Sequence, residues 1–288
     1  MTDQAQNLRE LVRERERRAR VLAVTSGKGG VGKSNTTVNL AIGLVAQGAR
    51  VVVLDADLGL ANVEVLLGLN SIYNLQHVIN GEKKVGEILV QGPGGIEVVP
   101  GSSGIMKLAD LNAAARQSIL MGLRDLQDLA DFVVIDTMAG IGQNAVAFAA
   151  AADEILIVTT PEPSAIVDGY AMIKTIFALR DDAVIRLIIN MAANEQQAKA
   201  VAQKLSLVAQ QYLSRRLNYL GWIPRDPHVS QAVMQTRPFV LQYPAAPSSR
   251  CIHELASYLV RQRALTPQAP PSGFLKRFAQ AFGLAGNG

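Results

Sequence analysis

Cysteine is almost absent from this chain of 288 residues, because Cys251 is its single example. One cysteine cannot close a disulfide within the chain, and it cannot provide the paired thiols of a metal or iron–sulfur site. Aromatic residues make up 5% of the chain, and no apolar run approaches the length that spans a bilayer. The first residues are charged and do not resemble a signal peptide. We therefore expect a cytoplasmic protein without structural disulfides.

Positive charge is concentrated at the two ends of the sequence. The net charge is +4. Residues 1–20 contain six Arg and four acidic residues, and residues 250–288 contain five Lys or Arg and one Glu. The stretch 21–249 is slightly acidic, with 17 basic and 19 acidic residues. A broad basic face on the body is not favoured, so we expect no direct DNA binding.

The strongest motif is a glycine-rich run that directly follows the apolar stretch 21–24. It fits the phosphate-loop pattern GxxxxGK[ST]. Its glycines let backbone N–H groups surround phosphate oxygens, the lysine at position 33 reaches the β- and γ-phosphates, and the next hydroxyl is a ligand for Mg²⁺. A predicted helix follows, so its positive end faces the phosphates. We assign ATP binding to Gly27, Lys28, Gly29, Gly30, Val31, Gly32, Lys33, Ser34 and Asn35.

Apolar runs rich in β-forming residues alternate with helical patterns along the body. Strands are predicted at Val21–Thr25, Val51–Asp55, Ile96–Pro100, Phe132–Asp136, Ile155–Thr160, Ile185–Asn190 and Leu217–Trp222. Helices are predicted at Asn35–Ala46, Ala113–Leu129, Ile166–Leu179, Ala198–Tyr212 and Ser249–Arg263. Continuous apolar strands separated by helices predict a doubly wound α/β fold, with a parallel sheet covered on both faces. Ligands bind such a sheet at the carboxyl ends of its strands.

Three carboxylates end predicted strands at that same edge. Asp136 closes an apolar strand, as expected for the second element of a magnesium site, although an ordinary strand end gives the same pattern. Asp55 and Asp57 are two residues apart on a strand and point to one face. Near a triphosphate they would repel the ligand unless one meets Mg²⁺ and the other meets water. An acidic turn is the alternative.

The second lysine of the loop, Lys28 in KGGVGKS, makes the sequence resemble the deviant phosphate loop of the MinD/ParA family of dimerising ATPases. The resemblance implies that Lys28 reaches the nucleotide of the partner subunit in an ATP-dependent homodimer. It implies catalytic roles for Lys28, Lys33 and Asp57, of which Asp57 activates the attacking water. It also implies that Ser34, Asp55 and Asp136 lie at the magnesium ion. A solvated loop charge is the alternative for Lys28.

Two further segments match this family less strongly. Asn190 ends a strand where the family offers an amide to adenine, and Pro224, Arg225 and Asp226 belong to a G-x-I-P-x-D loop that borders the base. A capping Asn and an ordinary turn remain the alternatives. No guanine signature is present in the sequence, so ATP is expected rather than GTP. The segment after Asp136 resembles the family's switch loop, from which Met138 departs.

Both ends point to one branch of the family. Residues 3–9 read D-Q-A-x-x-L-R, a motif of the FleN/FlhG flagellar-number regulators, and the resemblance implies that they activate an SRP-type GTPase, FlhF. The branch also implies restraint of a flagellar transcription activator of the FleQ type. The residues that carry this match are Asp3, Gln4, Ala5, Leu8 and Arg9.

The C-terminal end predicts an amphipathic helix after a Pro-rich spacer. The residues Phe274, Leu275, Phe278 and Phe282 share one helical face, as in helices that lie on a membrane surface. Doubling the helix in a dimer would strengthen attachment, so the resemblance implies reversible association with the inner membrane near the cell pole. The alternative is that this helix packs on the body.

The sequence thus predicts four parts: a partner-activating segment 1–20, a MinD-like ATPase domain 21–263, a linker 264–272 and a tail helix 273–288. The expected protein is a Mg²⁺-dependent, slowly hydrolysing ATPase that switches by dimerisation. Two other readings remain open, namely a ParA-type DNA- or cargo-positioning ATPase and a nucleotide-locked adaptor that barely hydrolyses. An iron–sulfur ATPase is disfavoured by the single cysteine.

Overall fold

The computed structural model describes residues 18–57, 62–101, 113–265 and 273–283, and within them an eight-stranded sheet. The strand order is β3-β4-β2-β5-β1-β6-β7-β8, and each neighbouring pair is parallel except the edge pair β3–β4. The strands are β1 (Arg20–Ser26), β2 (Val51–Ala56), β3 (Val90–Gln91), β4 (Glu97–Val99), β5 (Phe132–Ala139), β6 (Glu154–Thr159), β7 (Ile185–Ala192) and β8 (Asn218–Pro224). The predicted doubly wound parallel fold is confirmed, and only the two-residue β3 was not predicted.

Helices cover both faces of the sheet. They are α1 (Lys33–Ala46), α2 (Asn62–Leu67), α3 (Leu75–Ile79), α4 (Ala113–Leu129), α5 (Gln143–Ala151), α6 (Pro163–Leu179), α7 (Glu195–Leu213), α8 (Pro227–Met234), α9 (Phe239–Gln242), α10 (Pro247–Leu265) and α11 (Gly273–Ala281). Two 3₁₀ turns lie at Val85–Glu87 and Pro93–Gly95. The helices that the sequence did not predict within the body are short, or, like α5, buried on nearly all sides and therefore without an apolar periodicity.

The sheet separates two apolar layers because successive strand residues point to opposite faces. In β1, Val21 and Ala23 join the layer formed with α4 to α7, whereas Leu22 and Val24 join the layer formed with α1 and α10. All four side chains are fully buried. This is why the strand reads as a continuous apolar run.

Parallel register brings the carboxyl ends of the central strands together. Asp136 in β5 lies beside Val24 of β1 and beside Asp55 of β2. The phosphate loop leaves the end of β1. The strand order reverses there, because β5 and β6 lie on opposite sides of β1. The crevice expected of a doubly wound sheet therefore opens where the predicted site residues end their strands.

The tail helix α11 packs on the body. Phe274, Phe278 and Phe282 are buried, and the ring of Phe148 in α5 lies 5.3 Å from that of Phe278 and 5.1 Å from that of Phe282. Leu275 is partly buried against the same layer. The face that the sequence assigned to a membrane is thus covered in this structure, as the packing alternative expected. No helix within the described ranges is both long and apolar enough to cross a bilayer.

The opposite, amino-terminal edge of the sheet contains a buried ion-pair network. Glu154 at the start of β6 binds the guanidinium groups of Arg20 and Arg186, and all three side chains are close to nine-tenths buried or more. Burial is the main cause that lowers the pKa of Arg20 to about 10, and the Arg186 charge adds to it. Since two cations share one carboxylate here, its removal would leave buried charge without compensation.

We expect Glu154→Gln to lower the free energy of unfolding by about 3 to 5 kcal/mol. Asp181→Asn is the matched control, because Asp181 pairs with Arg215 but is 78% exposed, and its loss should cost less than about 1 kcal/mol. Urea denaturation of the two variants measures both values. Equal, small losses would show that the buried network contributes no more than a surface pair.

Candidate functional site

The phosphate loop is held in place by close backbone packing. Gly32 has φ +85°, and a Cβ atom there would lie 2.3 Å from Nδ2 of Asn190. A Cβ on Gly27 would lie 1.9 Å from the carbonyl oxygen of Asp168 in α6. Glycine is therefore required at both positions. The Asn190 amide donates to the carbonyl of Val31 at 2.8 Å and so supports the loop.

Lys33 is buried at the base of the loop and pairs with Asp136. Its Nζ lies 2.9 Å from Oδ1 of Asp136 and 3.2 Å from Oγ of Ser34. Thr37, one helical turn after Lys33, donates to the same Oδ1 at 2.7 Å. The structure thus brings Lys33, Ser34 and Asp136 together, as the sequence predicted. It adds Thr37, which lies four residues after Lys33 because the helix begins at Lys33, two residues before the predicted start at Asn35.

The donor set at this point fits a magnesium ion. Oδ2 of Asp136 is buried and has no hydrogen-bond partner within the described residues. The Ser34 hydroxyl lines the adjoining cavity of about 380 Å³. The part of the chain that the structure describes contains no cluster of three or more His, Cys, Asp or Glu residues that could hold a metal without further ligands. Mg²⁺ is commonly held by one or two protein oxygens together with phosphate and water, which is the arrangement these residues allow.

Asp55 and Asp57 have different surroundings although only one residue separates them. Asp55 is fully buried, and its oxygens accept from the backbone N–H groups of Asp57 and Val63 at 3.0 and 3.2 Å. Burial, with the Asp136 charge as a second cause, raises the pKa of Asp55 to about 7. Asp57 lines the cavity, and its Oδ2 accepts from the Asn62 amide at 2.8 Å. Asp55 therefore braces the start of α2, and Asp57 faces the place of the phosphates.

Lys28 lies at the rim of the cavity and not at its base. Its ammonium group donates to Oε2 of Glu162 at 3.2 Å and to Oγ of Ser164 at 2.8 Å, with 36% of its side chain exposed. The two lysines of the loop are therefore separated, one buried against Asp136 and one at the surface. Glu162 is the residue before α6 and Ser164 lies in its first turn, and the sequence analysis assigned neither residue a role.

The switch segment after Asp136 is tied to the loop. Gly140 has φ +87°, and its N–H donates to the carbonyl of Ser26 at 2.9 Å. Ala139 lines the cavity, and the Met138 side chain packs against the core. The bulky residue that departs from the family pattern thus points away from the phosphates.

A second cavity of about 680 Å³ adjoins the loop where the sequence placed the base. Arg225 lines it, together with three residues that the sequence analysis did not single out, Met191, Ala193 and Gln197. Asn190 has engaged one N–H with Val31 and its oxygen with the N–H of Met191. Met191 has a φ of +56°. Base contact by Asn190 stays a prediction.

The rest of the predicted base loop has other contacts. Pro224 ends β8 in register with Ala192. Asp226 caps α8 through the N–H of His228 at 3.0 Å and accepts from the hydroxyl of Ser248 at 2.8 Å. These bonds lower its pKa, against the effect of burial, which is the largest single contribution. The carboxylate of Asp226 therefore holds the loop in shape. The leader residues Asp3, Gln4, Ala5, Leu8 and Arg9 lie outside the described residues.

The glycine loop, the buried Lys33–Asp136 pair and the sheet order define a P-loop nucleoside triphosphatase. A family model described as ParA, a NUBPL iron-transfer P-loop NTPase, matches residues 17–260. The chain is 40% identical over 262 residues to "Antiactivator FleN" of Pseudomonas aeruginosa, covering 90% of this chain and 92% of the relative. The protein belongs to the ParA/MinD family of P-loop ATPases, in its FleN/FlhG group.

Other relatives and solved structures agree with this assignment. The "Flagellum site-determining protein YlxH" of Helicobacter pylori is 37% identical over 258 residues, which cover 89% of this chain and 87% of the relative. The structure of MinD from Pyrococcus horikoshii complexed with Mg-ADP matches with a TM-score of 0.71 and 22% identity, over 88% of this chain and 99% of that chain. The latter likeness concerns the fold alone.

We expect Gly32→Ala to weaken binding of a fluorescent ATP analogue by roughly tenfold or more. Its Cβ would displace Asn190, in addition to a left-handed backbone strain of roughly 1 kcal/mol. Gly48→Ala is the control, because Gly48 has φ +88° but open space around a Cβ. It should lose stability and keep its nucleotide affinity. Equal affinity in the two variants would contradict the role of Gly32 in shaping the loop.

Proposed function

We propose that the protein is an ATP- and Mg²⁺-dependent switch that dimerises around its nucleotides and hydrolyses them slowly. One observation carries this proposal: Lys33 is buried beside Asp136 at the base of the loop, whereas Lys28 lies at the rim, where it pairs with Glu162. A cation at the rim is superfluous for its own nucleotide but well placed for that of a facing subunit. Its bond to Glu162 would then be exchanged for a phosphate of the partner.

Within the site, each residue has a separate task. Backbone N–H groups of the loop and Lys33 hold the phosphates, and Ser34 with Asp136 would hold Mg²⁺, which neutralises charge on the phosphates when bound. Asp57, which lines the cavity and whose Oδ2 accepts from the Asn62 amide, accepts a proton from the attacking water. Asp55 keeps this segment in position through backbone bonds.

We propose further that this switch regulates the number and placement of flagella. The names of two relatives, an antiactivator and a flagellum site-determining protein, support this proposal. The leader motif at residues 3–9 would stimulate an FlhF-type GTPase, and the body would restrain a FleQ-type transcription activator.

Membrane attachment completes the proposal. The apolar face of α11 would leave α5 in the dimer and lie on the inner membrane near the cell pole, and the two tails of a dimer would bind with higher avidity than one. The protein would thus be membrane-associated with ATP and detached with ADP.

Dimerisation is tested by the mass of the protein in solution. We expect a monomer with ADP and a dimer with a non-hydrolysable ATP analogue and Mg²⁺. Lys28→Ala should remain monomeric with the analogue, because the charge lent to the partner's phosphates is lost. Lys204→Ala, which removes an exposed lysine of α7, should dimerise like the wild type. A Lys28→Ala variant that dimerises normally would disprove the role in trans.

Hydrolysis is tested by single-turnover measurements with radiolabelled ATP. Asp57→Ala should bind ATP, remain dimeric and hydrolyse at least about a hundredfold more slowly, since a general base contributes roughly that factor. Asp181→Asn, at an exposed position, should hydrolyse at the wild-type rate. Unchanged hydrolysis in Asp57→Ala would assign water activation to another residue and leave the dimer proposal intact.

A further inference from the structure

The tail helix is held by one arginine as well as by its apolar face. Nε of Arg277 donates to the carbonyl of Ala151 at 2.8 Å, and Nη2 lies 2.6 Å from Oδ1 of Asp153. The side chains of Arg277 and Asp153 are 21% and 19% exposed. This pair is the polar end of an otherwise aromatic contact.

The carboxylate of Asp153, which binds Arg277, is held in place by hydrogen bonds that do not involve the tail. Oδ2 of Asp153 accepts from the N–H of Val21 at 2.9 Å, and the N–H of Asp153 donates to the carbonyl of Val21 at 2.9 Å. Both bonds attach Asp153 to the first residues of β1. Its second oxygen is thereby presented toward the groove in which α11 lies.

A second guanidinium group lies beside that of Arg277. Arg180 donates to the carbonyls of Ala150 and Ala152, so two arginines cover the C-terminal end of α5. Burial lowers the pKa of Arg180, and the charge of Arg277 is the next cause. Asp182, which Nε of Arg180 contacts at 3.0 Å, and Asp153 both offset the repulsion between the two cations when the tail is docked.

We infer that Asp153 occupies, on the body, the place that an anionic phospholipid headgroup takes on the released tail. The guanidinium of Arg277 donates one hydrogen bond to the carbonyl of Ala151 and one to the carboxylate of Asp153, and a phosphate diester likewise offers oxygen acceptors and one negative charge. Release is then an exchange of Arg277 from Asp153 to lipid phosphate, while the three phenylalanines exchange the groove for the acyl region. The inference rests on the membrane attachment proposed above.

Because of this exchange, release of the tail should depend on the charge of the lipid headgroups. A neutral surface offers the apolar face a new environment but offers Arg277 no net charge to replace Asp153. An anionic surface replaces both contacts. Attachment of the monomer should therefore be limited by the Asp153–Arg277 bond, and Lys276, which is exposed in the docked helix, adds a further contact to an anionic surface.

The test uses the full-length chain without nucleotide, in two measurements. Hydrogen exchange of residues 273–283 reports docking directly. Flotation with vesicles of phosphatidylcholine alone, or with added phosphatidylglycerol, reports lipid binding. In Asp153→Asn we expect faster exchange in the tail and roughly tenfold more binding to anionic vesicles, because a charge-assisted hydrogen bond is lost from the docked state only. Asp181→Asn, whose acid pairs with Arg215, should behave as the wild type in both.

Arg277→Gln completes the design, because it removes the same group from both states. Its tail should also exchange faster, but its binding to anionic vesicles should stay below that of Asp153→Asn. Inorganic phosphate at equal ionic strength should not reproduce the effect of anionic vesicles on tail exchange, because it offers no apolar layer to the phenylalanines.

Three outcomes would overturn the inference. Wild-type exchange and flotation in Asp153→Asn would show that the pair does not restrain the tail. Equal binding of that variant to phosphatidylcholine vesicles and to anionic vesicles would show that an anionic headgroup does not replace the charge of Asp153. If the ATP-bound Asp57→Ala dimer, with its tail intact, fails to float with any vesicle, the proposed membrane attachment is wrong. The proposed exchange of Arg277 from Asp153 to a lipid headgroup is then wrong as well. Failure confined to Asp153→Asn leaves that attachment standing.

Discussion

A fully buried carboxylate needs a positive partner, and the structure of this site follows from that constraint at Asp136. Asp136 lies on the central strand β5 with no exposed surface, and Lys33 and Thr37 bind one of its oxygens, while the other has no partner among the residues that the structure describes. Nucleotide binding would redistribute these charges, because a lysine drawn toward the phosphates leaves Asp136 to the magnesium ion that accompanies them. Asp55 lies beside Asp136 in the sheet, and its pKa is raised by its burial first and by the charge of Asp136 second.

The same principle recurs at the rim and at the tail. Lys28 is held by Glu162 and Ser164, and Arg277 by Asp153 and a helix end. In each case the body supplies oxygen acceptors that a ligand phosphate would replace, whether it belongs to a partner's nucleotide or to a lipid. The exposed fractions of the three cations rise from Lys33 through Arg277 to Lys28. In the proposed switch, the most buried of these cations would bind the nucleotide of its own subunit, and the most exposed one would bind that of a neighbour.

Local pattern and topology made most of the site predictable from the sequence, and contacts distant in sequence account for the remainder. The run around Lys33 specifies a loop, a helix start and a phosphate site within nine residues, and parallel order then brings Asp55 and Asp136 to it. No such rule connects Lys28 to Glu162, which is 134 residues away. Asp226 reads as part of a base loop, but its carboxylate is engaged in capping α8. Docking of the tail on the body could not be predicted from the sequence. An amphipathic helix must cover its apolar face, but its sequence does not specify whether a membrane or the body covers it.

The two acceptors of Arg277 are attached to different elements of the fold, and this difference would couple the docked tail to nucleotide binding in the proposed switch. Asp153 is bonded to the amino end of β1, a strand buried on both faces and therefore unable to move without repacking the core. Ala151 ends α5, the helix that begins just after the switch segment, which bonds to Ser26 at the other end of the same strand. A displacement of α5 relative to β1 would separate the two oxygens that one guanidinium now spans. Such a shift also moves Phe148, against which the tail rings pack, so the polar and apolar contacts of α11 would weaken together.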